Sequence, residues 1–155
     1  MILECIKAGI YYKIPIDKIT EIINNYESYN KRLKIIRCND YVIIDDSYNA
    51  SFESVKCGLG YLNNIKSDKI VILGDMLELG KYSIKYHKMI NKLINYSDTI
   101  LTVGNYSRYI YSKHFNNNKE LTNYLNKLDL KGKYIYVKGS NSMHLDEIVN
   151  FLNNK

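Results

Sequence analysis

From about Lys31 onward the sequence alternates two hydrophobic rhythms, and that alternation narrows the possible folds more than any other feature. Short runs dense in β-branched and other apolar residues, Lys69–Leu73, Thr99–Val103 and Tyr134–Lys138, are separated by stretches whose apolar residues recur at helical spacing. Helices are predicted over Phe52–Asn64, with Val55, Leu59 and Leu62 inward, and over Tyr82–Asn95, with Tyr86, Met89, Ile90 and Leu93 on one face. Further helices are predicted over Tyr106–Lys113, Lys119–Leu128 and Met143–Leu152. Ahead of them, Leu33–Arg37 and Tyr41–Asp45 read as two strands joined by a tight turn at Cys38-Asn39-Asp40. Strands that are apolar throughout are buried on both faces, which calls for a parallel sheet with helices on either side. The expected fold is an open, doubly wound, mostly parallel, Rossmann-like α/β domain over residues 31–155.

Residues 1–30 stand outside that alternation as an N-terminal helical extension. Pro15, the only proline, separates a helix over Ile2–Tyr11 from one over Ile16–Tyr29. In the second, Ile16, Ile19, Ile22, Ile23 and Tyr26 form one apolar face, and Asp17 suits the positive end of the helix dipole.

Composition removes several classes of partner. The net charge is +6, but the lysines are spread along the chain without a block of five like charges, so nucleic acid is not expected. No apolar run approaches the ~18 residues of a membrane span, and the N-terminus, with an early Glu4 and no cleavable apolar core, does not read as a signal peptide. Cys5, Cys38 and Cys57 lie far apart, without metal-type spacing, as in a chain of the reducing cytoplasm. No metal-ligand cluster, catalytic triad or nucleophile elbow can be assembled from local spacing.

In open α/β sheets, ligands bind outside the carboxyl ends of the strands. The segments that follow the predicted strands are Asp46-Ser47-Tyr48-Asn49-Ala50, Gly74-Asp75-Met76-Leu77-Glu78-Leu79-Gly80, Gly104-Asn105 and Gly139-Ser140-Asn141-Ser142. They bring carboxylates, amides and hydroxyls, with Lys138, to one edge of the sheet. Asp45 and Asp46 are neighbours on a strand and point to opposite faces, so one can meet a ligand while the other caps or pairs. A carboxylate here suits ribose hydroxyls or a metal's outer shell, and equally a turn in which Asp46 bonds nearby amides. Ser51 is placed to cap the following helix. Lys138-Gly139-Ser140-Asn141-Ser142 ends a strand and opens a helix, which reads as an anion cradle or as a plain helix cap. It is not a Walker loop, and Gly-x-x-x-x-Gly-Lys-Ser/Thr occurs nowhere in the chain. His87, on the helix after Gly80, has no partner of obvious catalytic type and reads as a surface or packing residue.

Taken together, Ile44–Ala50, Leu73–Gly80 and Val137–Ser140 resemble, in that order, the C-terminal domain of Mur ligases, and within them the branch that adds D-alanyl-D-alanine. That branch carries DDSYNAN-like, GDMxELG and KGSR segments, with a histidine where His87 stands. The resemblance covers residues 31–155, and residues 1–30 are similar to the helical tail of the central ATPase domain. It implies an ATP-dependent, magnesium-assisted peptide ligase of peptidoglycan synthesis, in which a substrate carboxylate is phosphorylated and then attacked by an amine. It implies that Asp46 contacts the ribose, that Tyr48 and Asn49 line the nucleotide side, and that Arg32 reaches phosphate oxygens. Lys138, Gly139, Ser140 and Asn141 would face the peptide substrates, a UDP-muramyl peptide and D-Ala-D-Ala, with Asp75, Glu78 and His87 along the same rim. Two positions depart from the pattern: Asn141 stands where the family has arginine, and Ser51-Phe52 where many members have Asn-Pro. The phosphate loop and metal-binding residues of such ligases lie in the central domain. The chain is therefore expected not to ligate alone, but to pair with a separate chain or to be a remnant. Its apolar N-terminal face is expected to favour a homodimer or a partner complex. The alternative is a free-standing Rossmann-like module that binds nucleotide or peptide without catalysis. Either way, Asp46, Asp75 and Ser140 should gather along one rim.

Overall fold

A computed structural model describes residues 2–25, 31–95 and 97–155. The N-terminal extension is a helical hairpin of α1 (Ile2–Tyr11) and α2 (Ile16–Asn24). Ile19 is its buried contact and packs at Gly9 of α1, where a Cβ would lie 2.8 Å from the isoleucine Cδ1. Ile16 and Ile22 are 63% and 66% exposed and Ile23 is half-buried, so part of the predicted apolar face lies open to solvent. Its last member, Tyr26, and the predicted continuation of the helix to Tyr29 lie outside the described residues.

The strands are β1 (Lys34–Arg37), β2 (Val42–Asp46), β3 (Lys69–Gly74), β4 (Thr99–Val103), β5 (Lys113–Phe115) and β6 (Tyr134–Lys138). They form one sheet in the order β1-β2-β6-β3-β4-β5, with β1 antiparallel to β2 and the other pairs parallel. The chain is thus an α/β, doubly wound, mostly parallel sheet, as the alternation predicts. α3 (Phe52–Leu62) and α4 (Ser83–Ile90) share one apolar layer with Ile44, Val71, Leu73 and Tyr136. α5 (Asn118–Leu125) and α6 (Asp146–Asn153) share the opposite layer with Ile43, Ile70, Ile72 and Val137. Neighbouring strand residues such as Ile43 and Ile44 thus feed opposite cores, the period-two rule applied to a sheet covered on both sides.

Three elements differ from the sequence prediction. The helix expected over Tyr106–Lys113 is instead a single 3-10 turn at Ser107–Tyr109 that leads into β5. The reason lies at long range. The Asp75 carboxylate captures the amides of Asn105, Tyr106 and Ser107, while Thr102 on β4 bonds Ser112 and His114, seating the short fifth strand. The helix expected from Tyr82 to Asn95 starts at Ser83, after a 3-10 turn at Gly80–Tyr82, and ends at Ile90. The helix expected from Met143 begins at Asp146. A 3-10 turn at Asn141–Met143 and a left-handed His144, φ 50°, come between it and β6. The anion cradle of a long helix directly after Ser140 is therefore not formed.

The order of the strands positions the site. β6 is inserted between β2 and β3, so loops leaving its two neighbours turn to α3 and α4 on one face while its own turns to α6 on the other. Divergence of that kind opens a crevice at the carboxyl ends of the central strands.

Candidate functional site

Asp46 and Lys138 end β2 and β6 as register partners, and both continue the face occupied by Ile44 and Tyr136. Lys138 Nζ donates to Asp46 Oδ2 at 2.7 Å and to the Asn49 carbonyl at 2.9 Å. The Tyr136 hydroxyl donates to the same Oδ2 at 2.9 Å, and the Leu33 amide reaches Oδ1 at 3.3 Å. The pair is nearly dry, its side chains being 3% and 12% exposed. Burial is possible only because each charge has its counter-charge and further polar partners.

The turn beyond β2 is tied by its own side chains. Asp45, on the other face, accepts from the Ser47 amide and hydroxyl at 3.1 and 2.6 Å, while Asn49 accepts from the Ala50 amide. Ser51 and Ser54 then form a reciprocal capping box at the start of α3. Asp45 therefore makes the turn, and Asp46 is left to the cleft. Opposite the turn, the Arg32 guanidinium lies 4.5 Å from the centre of the Tyr48 ring. Its neighbours Lys31 and Leu33 both have positive φ, 67° and 51°, so the backbone doubles back at Arg32. That bend is held by the Tyr48 amide on the Lys31 carbonyl and by the ion pair of Lys31 with Asp146. Between these walls is a cleft of about 330 Å³, lined by Arg32, Leu33, Asp46, Tyr48, Asn49, Ser51, Ser54 and Lys138.

A second node adjoins the first through β6. The Ser140 amide donates to the Asp75 carbonyl, and its hydroxyl accepts from the Leu77 amide at 2.8 Å. Gly74 and Gly139 let the two loops cross, for a Cβ on Gly139 would stand 2.6 Å from Leu145 Cδ1 and 3.2 Å from the Gly74 Cα. The Asp75 carboxylate accepts backbone amides from Asn105, Tyr106 and Ser107 at 2.8, 3.0 and 2.7 Å. His87 is fully buried. Its Nε2 accepts the Met76 amide at 3.0 Å, so Nδ1 carries the proton and donates to the Ser83 carbonyl at 2.7 Å. Burial holds its pKa below the usual 6.5, against smaller upward pulls from the Ser83 carbonyl and Asp75.

Asp46, Asp75 and Ser140 therefore share one rim, at the carboxyl ends of β2, β3 and β6. The predicted site residues fall into two groups. Arg32, Asp46, Tyr48, Asn49 and Lys138 surround the cleft. Asp75, Ser140 and His87 spend their polar groups on backbone and make the adjoining loops rigid, while Gly139 supplies the close crossing. Glu78, with φ 65°, and Asn141 are exposed at the margin. Lys138 thus belongs to the cleft of Asp46 and not to a continuous surface with Ser140 and Asn141. Sequence reasoning missed Tyr136, Leu33 and Ser54. Two of them act through a backbone amide or a local cap, and a strand tyrosine in an apolar run looks like core.

The cleft offers a carboxylate acceptor, two cationic groups, an aromatic face and small hydroxyls, which suits a hydroxylated anionic ligand. No nucleophile stands beside a free base in it. Among the described residues no set of three His, Cys, Asp or Glu side chains could enclose a metal ion, and no helix is long and apolar enough to cross a membrane.

Comparison with known proteins agrees with this architecture. The family model of the Mur ligase, glutamate ligase domain matches residues 31–141. The UDP-N-acetylmuramoyl-tripeptide–D-alanyl-D-alanine ligase of Buchnera aphidicola subsp. Acyrthosiphon pisum is 37% identical over 147 residues, covering 88% of this chain and 32% of that protein. The ligase of the same name from Bacillus subtilis is 30% identical over 164 residues, covering 95% and 36%. The chain thus spans about a third of the length of the curated relatives it matches. Among solved structures, MurF from Acinetobacter baumannii superposes with a TM-score of 0.87 at 22% identity, over 97% of this chain and 36% of that one. MurF from Thermotoga maritima, determined in complex with ADP, superposes with a TM-score of 0.74 at 20% identity, over 84% of this chain and 32% of that one. By the span of the family match and the identity to these relatives, the chain belongs to the Mur ligase family, as its C-terminal, glutamate ligase domain.

Proposed function

We propose that the chain serves as the nucleotide-closing domain of an ATP-dependent peptide ligase that adds D-alanyl-D-alanine to a UDP-muramyl tripeptide in cytoplasmic peptidoglycan synthesis. The observation that carries this reading is the cleft at the crevice of the sheet, where Asp46 and Lys138 stand beside Arg32 and Tyr48. Its donors fit one end of a nucleotide. Asp46 keeps acceptor capacity for a ribose hydroxyl, Tyr48 offers a ring face, and the planar guanidinium of Arg32 matches phosphate oxygens. ATP, when bound, supplies the phosphoryl group that activates the substrate carboxylate.

This chain's residues bind and orient; none of those in the cleft moves a proton. Lys138 neutralises Asp46 and fixes the Asn49 carbonyl, holding the turn so that Tyr48 and Asn49 face the ligand side. Magnesium is commonly held by one or two carboxylates together with phosphates and water, so it would travel with the nucleotide rather than occupy a cage here. With no Walker loop in the 155 residues, the polyphosphate would be gripped by polypeptide other than this segment, and the segment alone would not ligate. The exposed Ile16 and Ile22 would pack against that polypeptide. The same lack of a Walker loop favours a second reading, a module that binds nucleotide or peptide without taking part in ligation.

Titration with ADP, followed by amide NMR, tests the first step. Saturable shifts confined to residues 46–54 and to Arg32 and Lys138 are expected, with millimolar or tighter affinity and clear weakening in Arg32→Ala. Shifts that never saturate, or that fall elsewhere, would sink the nucleotide reading. Phosphate release measured with ATP, magnesium and both substrates separates the ligase from the module. The chain alone should give none, and adding the central and N-terminal domains of a relative should restore it. Failure of that restoration, with ADP binding intact, would favour the module.

A further inference from the structure

The hydroxyl of Tyr136 reaches up from the apolar layer beneath the polar cleft and bonds Asp46, which lines it. Tyr136 pairs across the sheet with Ile44 on β2 and Val71 on β3, and it is fully buried under α3. The helix makes room for it. A Cβ at Gly58 of α3 would stand 1.9 Å from the Tyr136 hydroxyl and 2.7 Å from Cζ, so the phenol occupies space that any other residue at 58 would claim. Glycine inside a helix is itself unfavourable by about 0.5–1 kcal/mol relative to alanine, so a compensating role for the space it leaves is called for. The hydroxyl uses that space to bond the Asp46 carboxylate.

An ionised carboxylate has about four acceptor positions, two on each oxygen. On Asp46, Oδ2 takes Lys138 at 2.7 Å and Tyr136 at 2.9 Å and is full. Oδ1 takes the Leu33 amide at 3.3 Å and has one position left. We infer that Tyr136 is a positioning residue of this cleft. By completing Oδ2 it fixes the carboxylate and leaves a bound nucleoside diphosphate one ribose-hydroxyl contact, at Oδ1, instead of the two that a free carboxylate could offer a vicinal diol. The inference rests on the nucleotide reading above. Burial, with the Asp46 charge beside it, raises the phenol pKa well above its ordinary 10, so the hydroxyl remains a donor throughout the physiological range.

The test compares ADP with 2′-deoxy-ADP and 3′-deoxy-ADP by the same NMR titration. In the parent chain one analogue should bind roughly tenfold more weakly than ADP, the loss of a single charge-assisted bond, and the other should bind like ADP. Tyr136→Phe, which keeps the ring and removes the donor, frees a position on Oδ2. The two analogues should then differ by no more than about twofold, a readout that a purely structural role would not move. Should that variant fold poorly, Gly58→Ala/Tyr136→Leu refills the space without a hydroxyl and should show the same loss of discrimination. Equal weakening by both analogues in the parent chain, or discrimination that survives in both variants, overturns the inference while the nucleotide reading stands. Absence of any saturable ADP binding overturns the two together.

Discussion

Replacing Lys138 with methionine tests whether the rim is held by a buried ion pair or by ordinary surface contacts. Methionine keeps most of the length of the side chain and removes the ammonium. The Asp46 carboxylate, 12% exposed, would then be left with the Tyr136 hydroxyl and the long contact from the Leu33 amide. The Asn49 carbonyl would lose its donor too, but Asn49 lies at the surface, where water can take over. The cost is therefore that of an uncompensated buried carboxylate, about 3–5 kcal/mol, and not the ~0–1 kcal/mol of an exposed pair. For a domain of this size, about 1 kcal/mol moves the melting temperature by roughly 2–4 °C, so Lys138→Met should melt roughly 6–20 °C below the parent. The uncharged pair Lys138→Met/Asp46→Asn should recover most of the loss, because the amide oxygen still accepts from Tyr136 and no charge is left dry. Urea unfolding of the parent, the two single variants Lys138→Met and Asp46→Asn, and the double variant, with m-values to confirm two-state behaviour, gives the coupling directly. A single-variant loss below about 1 kcal/mol, or a double variant no better than the single, would refute the buried-pair account and release Lys138 for direct contact with substrate.

Asp75→Asn should cost about 3 kcal/mol, since an amide cannot accept three backbone donors as the carboxylate does. Gly104→Ala should be at least as damaging, for its Cβ would lie 2.4 Å from Asp75 Oδ1 at φ +127°. In an Asp75→Ala background its added cost should fall to backbone strain alone, about 1–2 kcal/mol, and full additivity in the denaturation cycle would contradict that. The depressed pKa of His87 fixes the sign of a pH effect. The unfolded chain takes up its proton near pH 6.5 while the folded one resists, so its contribution is intact above that pH and is lost on acidification toward the lower folded value. His87→Gln, which can still accept from Met76 and donate to Ser83, should flatten the melting-temperature profile between pH 7.5 and 5.5. A slope equal to the parent's would assign the acid sensitivity to other groups, His114 among them, since burial chiefly and the nearby Arg108 lower its pKa as well.

What the sequence disclosed and what it hid divide along the range of the interactions. α3, β3, β4 and β6 are written in local periodicity, because each has to bury Val55, Ile70, Leu101 or Ile135 whatever its neighbours are. β5 could not be read that way. Its three residues become a strand because they pair with β4, where Thr102 bonds Ser112 and His114, while Asp75 fixes the turn at Asn105–Ser107 that leads there, all contacts across loops. The insertion of β6 between β2 and β3 is equally silent in the sequence, yet that step carries Lys138 to Asp46 across 92 residues. Without it, a lysine ahead of Gly139-Ser140 reads naturally as part of that loop's own surface. Gly58 did carry a signal. A glycine inside a helical stretch marks close approach, but the sequence does not say that Tyr136 is what approaches.

The polar residues of the rim divide by what they bond, and that division explains how a small set of them can form half of a clamp. Asp45, Asp75, Ser140 and His87 are buried, and each bonds at least one backbone group of the loops, so their chemistry is consumed in fixing where those loops run. Asp46 and Lys138 are nearly as buried, yet they line open space, because the turn behind them is held by Asp45 and Ser47 and the wall before them by Arg32 on Tyr48. A half-site that must meet its other half in a fixed geometry needs that order of stiffness. Loops secured to backbone come first, a neutralised charge pair second, and the exposed groups Arg32, Tyr48 and Asn49 last, at the surface where the ligand and the facing polypeptide would arrive. Arg32 itself stands between two left-handed residues, tied to the turn beyond β2 by the Lys31 carbonyl and to the end of β2 by the Leu33 amide, so its place at the mouth of the cleft is set by backbone.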